Sequence, residues 1–234
     1  MSPIARGREI GPTDLRRRNV QPATCLTIRV TSRVYDPRMP AADSDITVHA
    51  LGPDRFADLA ALFEEGGDPK WCWCQFYRVR GLNWSNSTAD ANRERLASLT
   101  RDGPPPGLVA YREGRAVGWV SLAPRPAFDR LAHAKVLAPV DDKPVWSIVC
   151  FVVSRSARGK GVATALLDAA IDFARSRGAT MLEAYPADTE GRRIAPANAY
   201  HGTLSMFESA GFEVVARRQF NRATRIRPIV RLGL

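Results

Sequence analysis

The sequence has few cysteine and histidine residues, and they are not spaced as metal ligands usually are. The cysteines are Cys25, Cys72, Cys74 and Cys150, and the three histidines are far apart in the chain. A structural zinc site needs about four ligands, and a small secreted scaffold needs a denser set of cysteines. We therefore predict no metal site. The segment around Cys72 and Cys74, which includes Trp71 and Trp73, is predicted to be a buried aromatic and thiol plug, in a cytoplasmic protein with reduced thiols.

Long apolar runs are also missing. No stretch reaches the about 18 consecutive apolar residues of a membrane-spanning helix, and the first residues lack the apolar core of a signal peptide. We therefore expect neither a membrane span nor a secretion signal. The contents of 45% hydrophobic and 25% charged residues are those of an ordinary globular domain, which excludes a chain that is disordered throughout.

The chain has an excess of positive charge, but most of it lies near the two ends. Lys and Arg number 34 against 24 Asp and Glu, for a net charge of +10. Residues 1–45 account for +3, residues 46–213 for +1 and residues 214–234 for +6. A nucleic-acid binder usually spreads its cations over a groove or a recognition helix. This distribution argues against a nucleic-acid partner.

The composition divides the chain into two parts. Residues 1–45 are rich in Arg, Pro, Asp, Ser and Thr and have only short apolar patches, which predicts a flexible N-terminal leader. A true translation start at Met39 is an alternative explanation of this segment. From residue 46 onward the hydrophobic pattern becomes regular, and residues 46–234 are predicted to form one domain.

Within that domain, strand and helix periodicities alternate. Segments 107–112 and 115–122, joined by Glu113 and Gly114, predict a β-hairpin. The nearly continuous apolar segment 145–153 predicts a central strand buried on both faces. The other predicted elements are strands at 46–51, 180–185, 212–218 and 226–232, and helices at 54–65, 89–99, 162–177 and 202–210.

A short basic loop follows the predicted central strand and leads directly into an amphipathic helix. The loop contains Arg155, Arg158, Gly159, Lys160 and Gly161. A glycine turn at a helix N-terminus can bind an anion through backbone N–H groups and the helix dipole, and an ordinary basic turn is the alternative. The loop matches neither G-x-x-x-x-G-K-[ST] nor G-x-G-x-x-G, so a nucleoside-triphosphate or nicotinamide site is disfavoured.

The loop resembles that of the GNAT N-acetyltransferase superfamily. Arg158, Gly161 and Ala163 match its R/Q-x-x-G-x-G/A pattern, after a long apolar strand and at the start of an amphipathic helix. The segment 206–212, Met-Phe-Glu-Ser-Ala-Gly-Phe, resembles the late helix of that family and its Gly-Phe ending. The hairpin corresponds to its second and third strands, and the resemblance covers roughly residues 46–220.

The resemblance implies an α/β fold with a mixed, mostly antiparallel sheet flanked by helices, in which two central strands splay apart. It also implies that acetyl-CoA binds at the splay as co-substrate, with its pyrophosphate on the loop N–H groups and its pantetheine arm along the preceding strand. The implied cofactor-binding residues are Phe151, Val152, Val153, Arg158, Gly159, Lys160, Gly161, Val162 and Ala163.

The same resemblance implies N-acetyl transfer by direct attack of an acceptor amine on the thioester in a ternary complex, with a backbone N–H of the central strand stabilising the oxyanion. Many relatives have a Tyr acid in the late helix, where this chain has Phe207, which has no proton to donate. Tyr200, at the position of a frequent Asn, is the candidate acid or pantetheine contact. Glu183, on the strand after the central one, is the candidate base, and a water-mediated base is the alternative.

The expected acceptor is a small-molecule primary amine. We predict aromatic walls and negative charge for its pocket, from Trp71, Trp73, Phe76, Tyr77, Trp84, Asp141, Asp142, Asp188 and Glu190. Protein and aminoacyl-tRNA amines remain alternative acceptors. A non-catalytic acyl-CoA-binding module is a further alternative, favoured by the missing Tyr, and an exposed late strand would allow a homodimer.

Overall fold

The computed structural model describes residues 45–189, 200–219, 221 and 225–234. The predicted leader lies outside these residues, apart from Asp45. The strands are β1 (Ile46–Ala50), β2 (Gly107–Arg112), β3 (Arg115–Pro124), β4 (Trp146–Val153), β5 (Met181–Ala184), β6 (Glu213–Arg218) and β7 (Arg227–Gly233). The α-helices are α1 (Phe56–Glu64), α2 (Asp68–Cys72), α3 (Gly81–Ser85), α4 (Ala89–Asp102), α5 (Asp129–His133), α6 (Val162–Ser176) and α7 (Leu204–Ser209). Short 3₁₀ turns occur at Pro53–Arg55, Arg125–Ala127, Lys135–Leu137 and Arg155–Ala157.

The strands form one seven-stranded sheet in the order β1-β2-β3-β4-β5-β7-β6. All neighbours are antiparallel except β4 and β5, which are parallel and pair only over residues 146–148 and 182–184. From residue 149 onward β4 therefore runs beyond its pairing with β5. The expected fold class, including the splayed central pair, is confirmed.

Helices cover both faces of the sheet because its strands are apolar on both sides. Leu108 and Ala110 of β2 belong to the core under α6, whereas Val109 between them belongs to the core under α1. Side chains of successive strand residues point to opposite faces, which produces this alternation. The apolar side of α6 completes the larger core, and α7 adds Leu204 and Phe207 to the same core.

The predicted hairpin turn agrees with the structure, and a threonine caps the start of α4. Glu113 and Gly114, at the hairpin turn, both have left-handed backbone angles, with φ of 51° and 73°, as a two-residue type I′ turn requires. The Thr88 hydroxyl accepts a hydrogen bond from the Ala91 N–H over 3.1 Å and caps α4. Within the described residues, no helix is long and apolar enough to cross a membrane.

The predicted buried plug is only partly buried, because Trp73 and Cys74 lie in the core whereas Trp71 is 43% exposed. The segment also begins within a short helix, α2, and a second one, α3, follows it. Pro69 lies in the first turn of α2, where proline suits the helix and costs no hydrogen bond. Each of the two helices has only five residues, which is too short for hydrophobic periodicity to reveal in the sequence.

Candidate active site

The glycine loop places two left-handed residues directly before α6. Gly159 and Gly161 have φ of 73° and 78°, and a Cβ at either position would find no atom within 4 Å. Gly161 is the N-cap of α6, and no side chain caps this end of the helix. The first N–H groups of an α-helix have no partner within the helix, so this helix end can bind an anionic group.

A cavity of about 480 Å³ lies in front of this loop and beside the splayed part of β4. Seven of the nine predicted cofactor residues line it, namely Phe151, Val153, Arg158, Gly159, Gly161, Val162 and Ala163. Val152 packs instead into the core on the opposite face of the sheet, and Lys160 is exposed on the loop without lining the cavity. We call this space the loop cavity.

Tyr200 lies at the boundary between the loop cavity and a second cavity. It lines both, and its carbonyl oxygen accepts a hydrogen bond of 2.6 Å from the Phe151 N–H. A Cβ at Gly67 would lie 3.1 Å from the Tyr200 hydroxyl, which places that hydroxyl next to the start of α2. Burial, and then the negative charge of Asp68, raise the pKa of the Tyr200 phenol. Its proton is therefore retained at neutral pH.

The second cavity has a volume of about 460 Å³ and mainly aromatic walls, and we call it the aromatic cavity. Trp71, Phe76, Tyr77 and Trp84 line it, as predicted from the sequence. Trp73 does not, because its side chain is 1% exposed and packs in the core under α1. The remaining lining residues are Asp68, Pro69, Cys72, Cys74, Val149, Cys150, Tyr200 and His201.

The acidic residues predicted for the acceptor pocket lie elsewhere or outside the described residues. Asp141 and Asp188 form ion pairs of 2.8 Å with Arg231 and Arg217. Asp142 is exposed and does not line the aromatic cavity, and Glu190 lies outside the described residues. The negative charge at this cavity comes instead from Asp68, in the first turn of α2.

His201 also lines the aromatic cavity, and sequence reasoning missed it. Its Nδ1 lies 3.3 Å from the Val149 carbonyl oxygen and 3.4 Å from the Tyr77 hydroxyl. Burial, together with the positive charge of Arg227, lowers the pKa of His201 to about 4, so the ring is neutral at physiological pH. In the sequence, the only indication that His201 belongs to this site is its position next to Tyr200.

Glu183, the candidate base, lines neither cavity. Its side chain is fully buried, and its carboxylate accepts hydrogen bonds from Arg125 over 2.6 Å and from Arg231 over 2.8 Å. The Tyr185 hydroxyl donates a third bond over 2.7 Å. A buried carboxylate that is paired with two guanidinium groups has a structural role, because it neutralises their charges inside the sheet region. The geometry therefore does not support Glu183 as the base.

Phe207 lies in the core, where its ring packs edge-on against Phe151 and Phe212. It lines neither cavity, so the position at which many relatives have a Tyr acid is here part of the hydrophobic core.

The C-terminal arginines, which supply most of the excess charge, largely bind other parts of the protein. Arg231 pairs with Glu183 and Asp141, and Arg217 pairs with Asp188. Arg218 donates to the Ala138 and Pro139 carbonyls, and Arg227 donates to the Tyr185 carbonyl. These contacts explain the arginine-rich end of the chain without a polyanionic ligand.

Comparisons with known proteins place these observations in a family context. A model of the acetyltransferase (GNAT) family matches residues 70–195. The fold is similar to that of an agmatine N-acetyltransferase mutant in its apo form, with 12% identity, a TM-score of 0.54, and coverage of 81% of this chain and 100% of that one. It is also similar to a mosquito arylalkylamine N-acetyltransferase like 5b, with 11% identity, a TM-score of 0.50 and coverage of 81% and 100%.

A putative acetyltransferase from Salmonella typhimurium, whose structure contains acetyl-CoA, shares 17% identity, a TM-score of 0.49, and coverage of 81% of this chain and 94% of that one. At these identities the structural likeness concerns the fold alone. No curated protein gives a significant match to the sequence.

Proposed function

The chain belongs to the acetyltransferase (GNAT) family, and from this membership we propose that it transfers an acetyl group from acetyl-CoA to the primary amine of a small molecule. The observation that supports this most directly is the position of Tyr200, which borders both cavities. A donor in one cavity and an acceptor in the other would meet at this residue, as direct transfer within a ternary complex requires.

Acetyl-CoA fits the loop cavity on physical grounds. Gly159 and Gly161 leave the backbone open to the pyrophosphate, and the N-terminus of α6 attracts negative charge. Arg158 lines the same cavity and adds a guanidinium donor. The apolar wall from Phe151 and Val153 suits the pantetheine arm. The bound thioester supplies an activated acetyl group.

The aromatic cavity suits an amine with an aromatic or apolar body. Trp71, Trp84 and Tyr77 offer ring surfaces, and Asp68 offers one carboxylate for the ammonium group. The guanidinium of Arg130 lies 4.0 Å from the centre of the Phe76 ring. This cation occupies one face of Phe76 and disfavours a second positive charge on the substrate at that wall.

The chain's own groups account for the proton that the thiolate receives. The bound ammonium first loses a proton to water, because only a neutral amine can attack. The amine nitrogen then bonds to the acetyl carbon as the carbon–sulfur bond breaks, and the Tyr200 phenol donates its proton to the departing thiolate. The nitrogen gives up its second proton to water, and Tyr200 regains a proton from water. His201 has a pKa too low to hold a proton at neutral pH, so its role is to shape the cavity.

The test is thiol release from acetyl-CoA across a panel of amines, including phenethylamine, tryptamine, agmatine and spermidine. We expect release with the aromatic monoamines and little with the polyamines. Binding of acetyl-CoA without release for any amine would favour an acyl-CoA-binding module, and release only with peptides or aminoacyl-tRNA would move the acceptor to those classes. The homodimer and the cytoplasmic location stay predictions.

A further inference from the structure

Thiols from two parts of the chain meet at the aromatic cavity, where Cys72 also forms a hydrogen bond with Cys74. The Sγ atoms of Cys74, just after α2, and Cys150, on β4, lie 3.3 Å apart. Both residues line the cavity. Cys74 is 5% exposed, and Cys150 is partly exposed. The acetyl-transfer mechanism uses neither thiol.

The fold holds the Cys74 thiol in place through an unusual backbone. Trp73 and Cys74 are consecutive non-glycine residues with left-handed φ angles of 45° and 52°, a conformation that costs free energy and persists only where the surroundings impose it. The buried Trp119 indole donates a hydrogen bond to the Cys74 Sγ over 3.2 Å. The left-handed backbone of Trp73 and Cys74 and the hydrogen bond from Trp119 together hold this sulfur close to the Cys150 sulfur.

From this geometry we propose that Cys74 and Cys150 form a modification site, which hydroperoxides convert into a disulfide that closes the aromatic cavity to its acceptor. Cys150 is the first thiol to react because it is the more accessible of the two at the cavity wall. The hydrogen bond to Cys150, together with burial, raises the pKa of Cys74, so Cys74 stays protonated and acts second.

The chemistry balances without any further reactant. The Cys150 thiol loses its proton to water as its sulfur attacks one oxygen of the hydroperoxide. A sulfur–oxygen bond forms, the oxygen–oxygen bond breaks, and the leaving oxygen takes up a proton from water and departs as water or an alcohol. The Cys74 sulfur then attacks the oxidised sulfur, and the leaving hydroxide takes the Cys74 proton and departs as water. Two thiols are oxidised to one disulfide, and the hydroperoxide is reduced. A dithiol reductant reverses the reaction.

A disulfide here would change the aromatic cavity because both sulfurs belong to residues of its wall. Drawing the two sulfurs to bonding distance moves the segment after α2 toward β4. The effect on activity rests on the proposed function, whereas the disulfide itself does not. We expect kcat/KM for the amine to fall by about tenfold or more, since a misplacement of about 1 Å at a reacting centre can cost up to ~10²-fold.

The experiment treats the full chain with hydrogen peroxide and follows intact mass, non-reducing peptide maps and acetyl transfer together. The expected result is the loss of two hydrogen atoms, a crosslinked Cys74–Cys150 peptide, reduced acetyl transfer with unchanged acetyl-CoA binding, and recovery with dithiothreitol. Each variant is compared with its own reduced form, so a change in basal activity does not affect the conclusion.

Cys74→Ser and Cys150→Ser are expected to form no crosslink and to keep their activity under peroxide, and either one suffices if the other fails to fold. Cys72→Ser and Cys25→Ser are expected to form the same Cys74–Cys150 crosslink under peroxide as the wild-type protein, each compared with its own reduced form. A crosslink that maps to another pair, or full activity of the crosslinked protein with its amine, overturns the proposal. If no amine is acetylated even by the reduced protein, the proposed function fails, while the mass data still test the disulfide.

Discussion

The backbone N–H of Phe151 donates a 2.6 Å hydrogen bond to the carbonyl oxygen of Tyr200. Phe151 lies on the part of β4 that runs beyond its pairing with β5, so residue 200 takes the place of a strand neighbour there. The pantetheine arm of acetyl-CoA is predicted to use this same strand edge. Under the proposed function, Tyr200 would therefore take part in both binding and chemistry, because it fills one hydrogen-bonding position of that edge and borders both cavities.

Substituting Gly161 with Glu should strongly weaken acetyl-CoA binding. The new carboxylate would lie at the N-terminus of α6, where it repels the pyrophosphate and takes up the N–H groups that would bind it. We expect affinity to fall roughly a hundredfold, about 3 kcal/mol, as measured by isothermal titration calorimetry.

Gly178→Glu is the matched control for that substitution. Gly178 has the same φ of 78° as Gly161, and its surroundings are equally open, but it follows the other end of α6. The two variants therefore share the backbone strain and the added charge. Equal losses of acetyl-CoA affinity in both would contradict the placement of the pyrophosphate at the loop.

Tyr200→Phe should lower kcat about 10²-fold, the size of a lost general acid, with little change in acetyl-CoA affinity. Because the phenol pKa is raised, the wild-type enzyme should show no loss of kcat on the alkaline side up to about pH 10, the ordinary range for tyrosine. The measurement is kcat against pH for both proteins.

Tyr111→Phe provides the control for the lost hydroxyl. The Tyr111 phenol also has a raised pKa, through burial and its 2.8 Å hydrogen bond to Asp58, but it lies away from both cavities, where β2 pairs with β1. The Tyr111→Phe substitution should leave kcat unchanged. A Tyr200→Phe enzyme with the wild-type kcat would exclude the acid role and leave only a packing role.

Most of the wall of the loop cavity could be predicted from the sequence because it depends on local geometry. A strand, a glycine turn and a helix N-terminus are contiguous in the chain. Glycine readily adopts the positive φ angles that Gly159 and Gly161 have in this turn. The acceptor side depends on contacts between distant segments. Asp68, Cys150 and His201 meet only after the fold has formed, and the burial of Glu183 between Arg125 and Arg231 is equally invisible in the sequence.

Asp68→Asn should raise KM for the amine without affecting acetyl-CoA binding. Asp68 is exposed at the cavity, and an ion pair open to solvent contributes at most about 1 kcal/mol, or roughly fivefold in KM. Asp90→Asn is the control, since Asp90 also lies in the first turn of a helix, α4, but away from the cavity. A similar change in KM in both variants would show that the Asp68 effect is not specific to the acceptor.

Glu183→Gln should destabilise the fold rather than change the pH dependence of catalysis. The substitution leaves Arg125 and Arg231 without their shared carboxylate, and breaking a buried pair in this way costs about 3–5 kcal/mol. Urea unfolding should record that loss, and kcat of the remaining folded enzyme should keep the wild-type pH profile. The disappearance of one limb of that profile would restore Glu183 as a base.

The stability of the protein should fall in mild acid because of His201. Its pKa is lowered from the ordinary 6.5 to about 4 in the folded state, so between these values the unfolded chain binds a proton that the folded chain does not. The contribution is fully present above about pH 6.5 and is lost as the pH falls toward 4, by at most about 3 kcal/mol.

Urea unfolding from pH 7 to 4.5 should show this dependence of stability on pH as a slope, and His201→Gln should reduce the slope. His133→Gln, at an exposed site on α5, should keep the wild-type slope, and an unchanged slope in His201→Gln would assign the acid sensitivity to other groups.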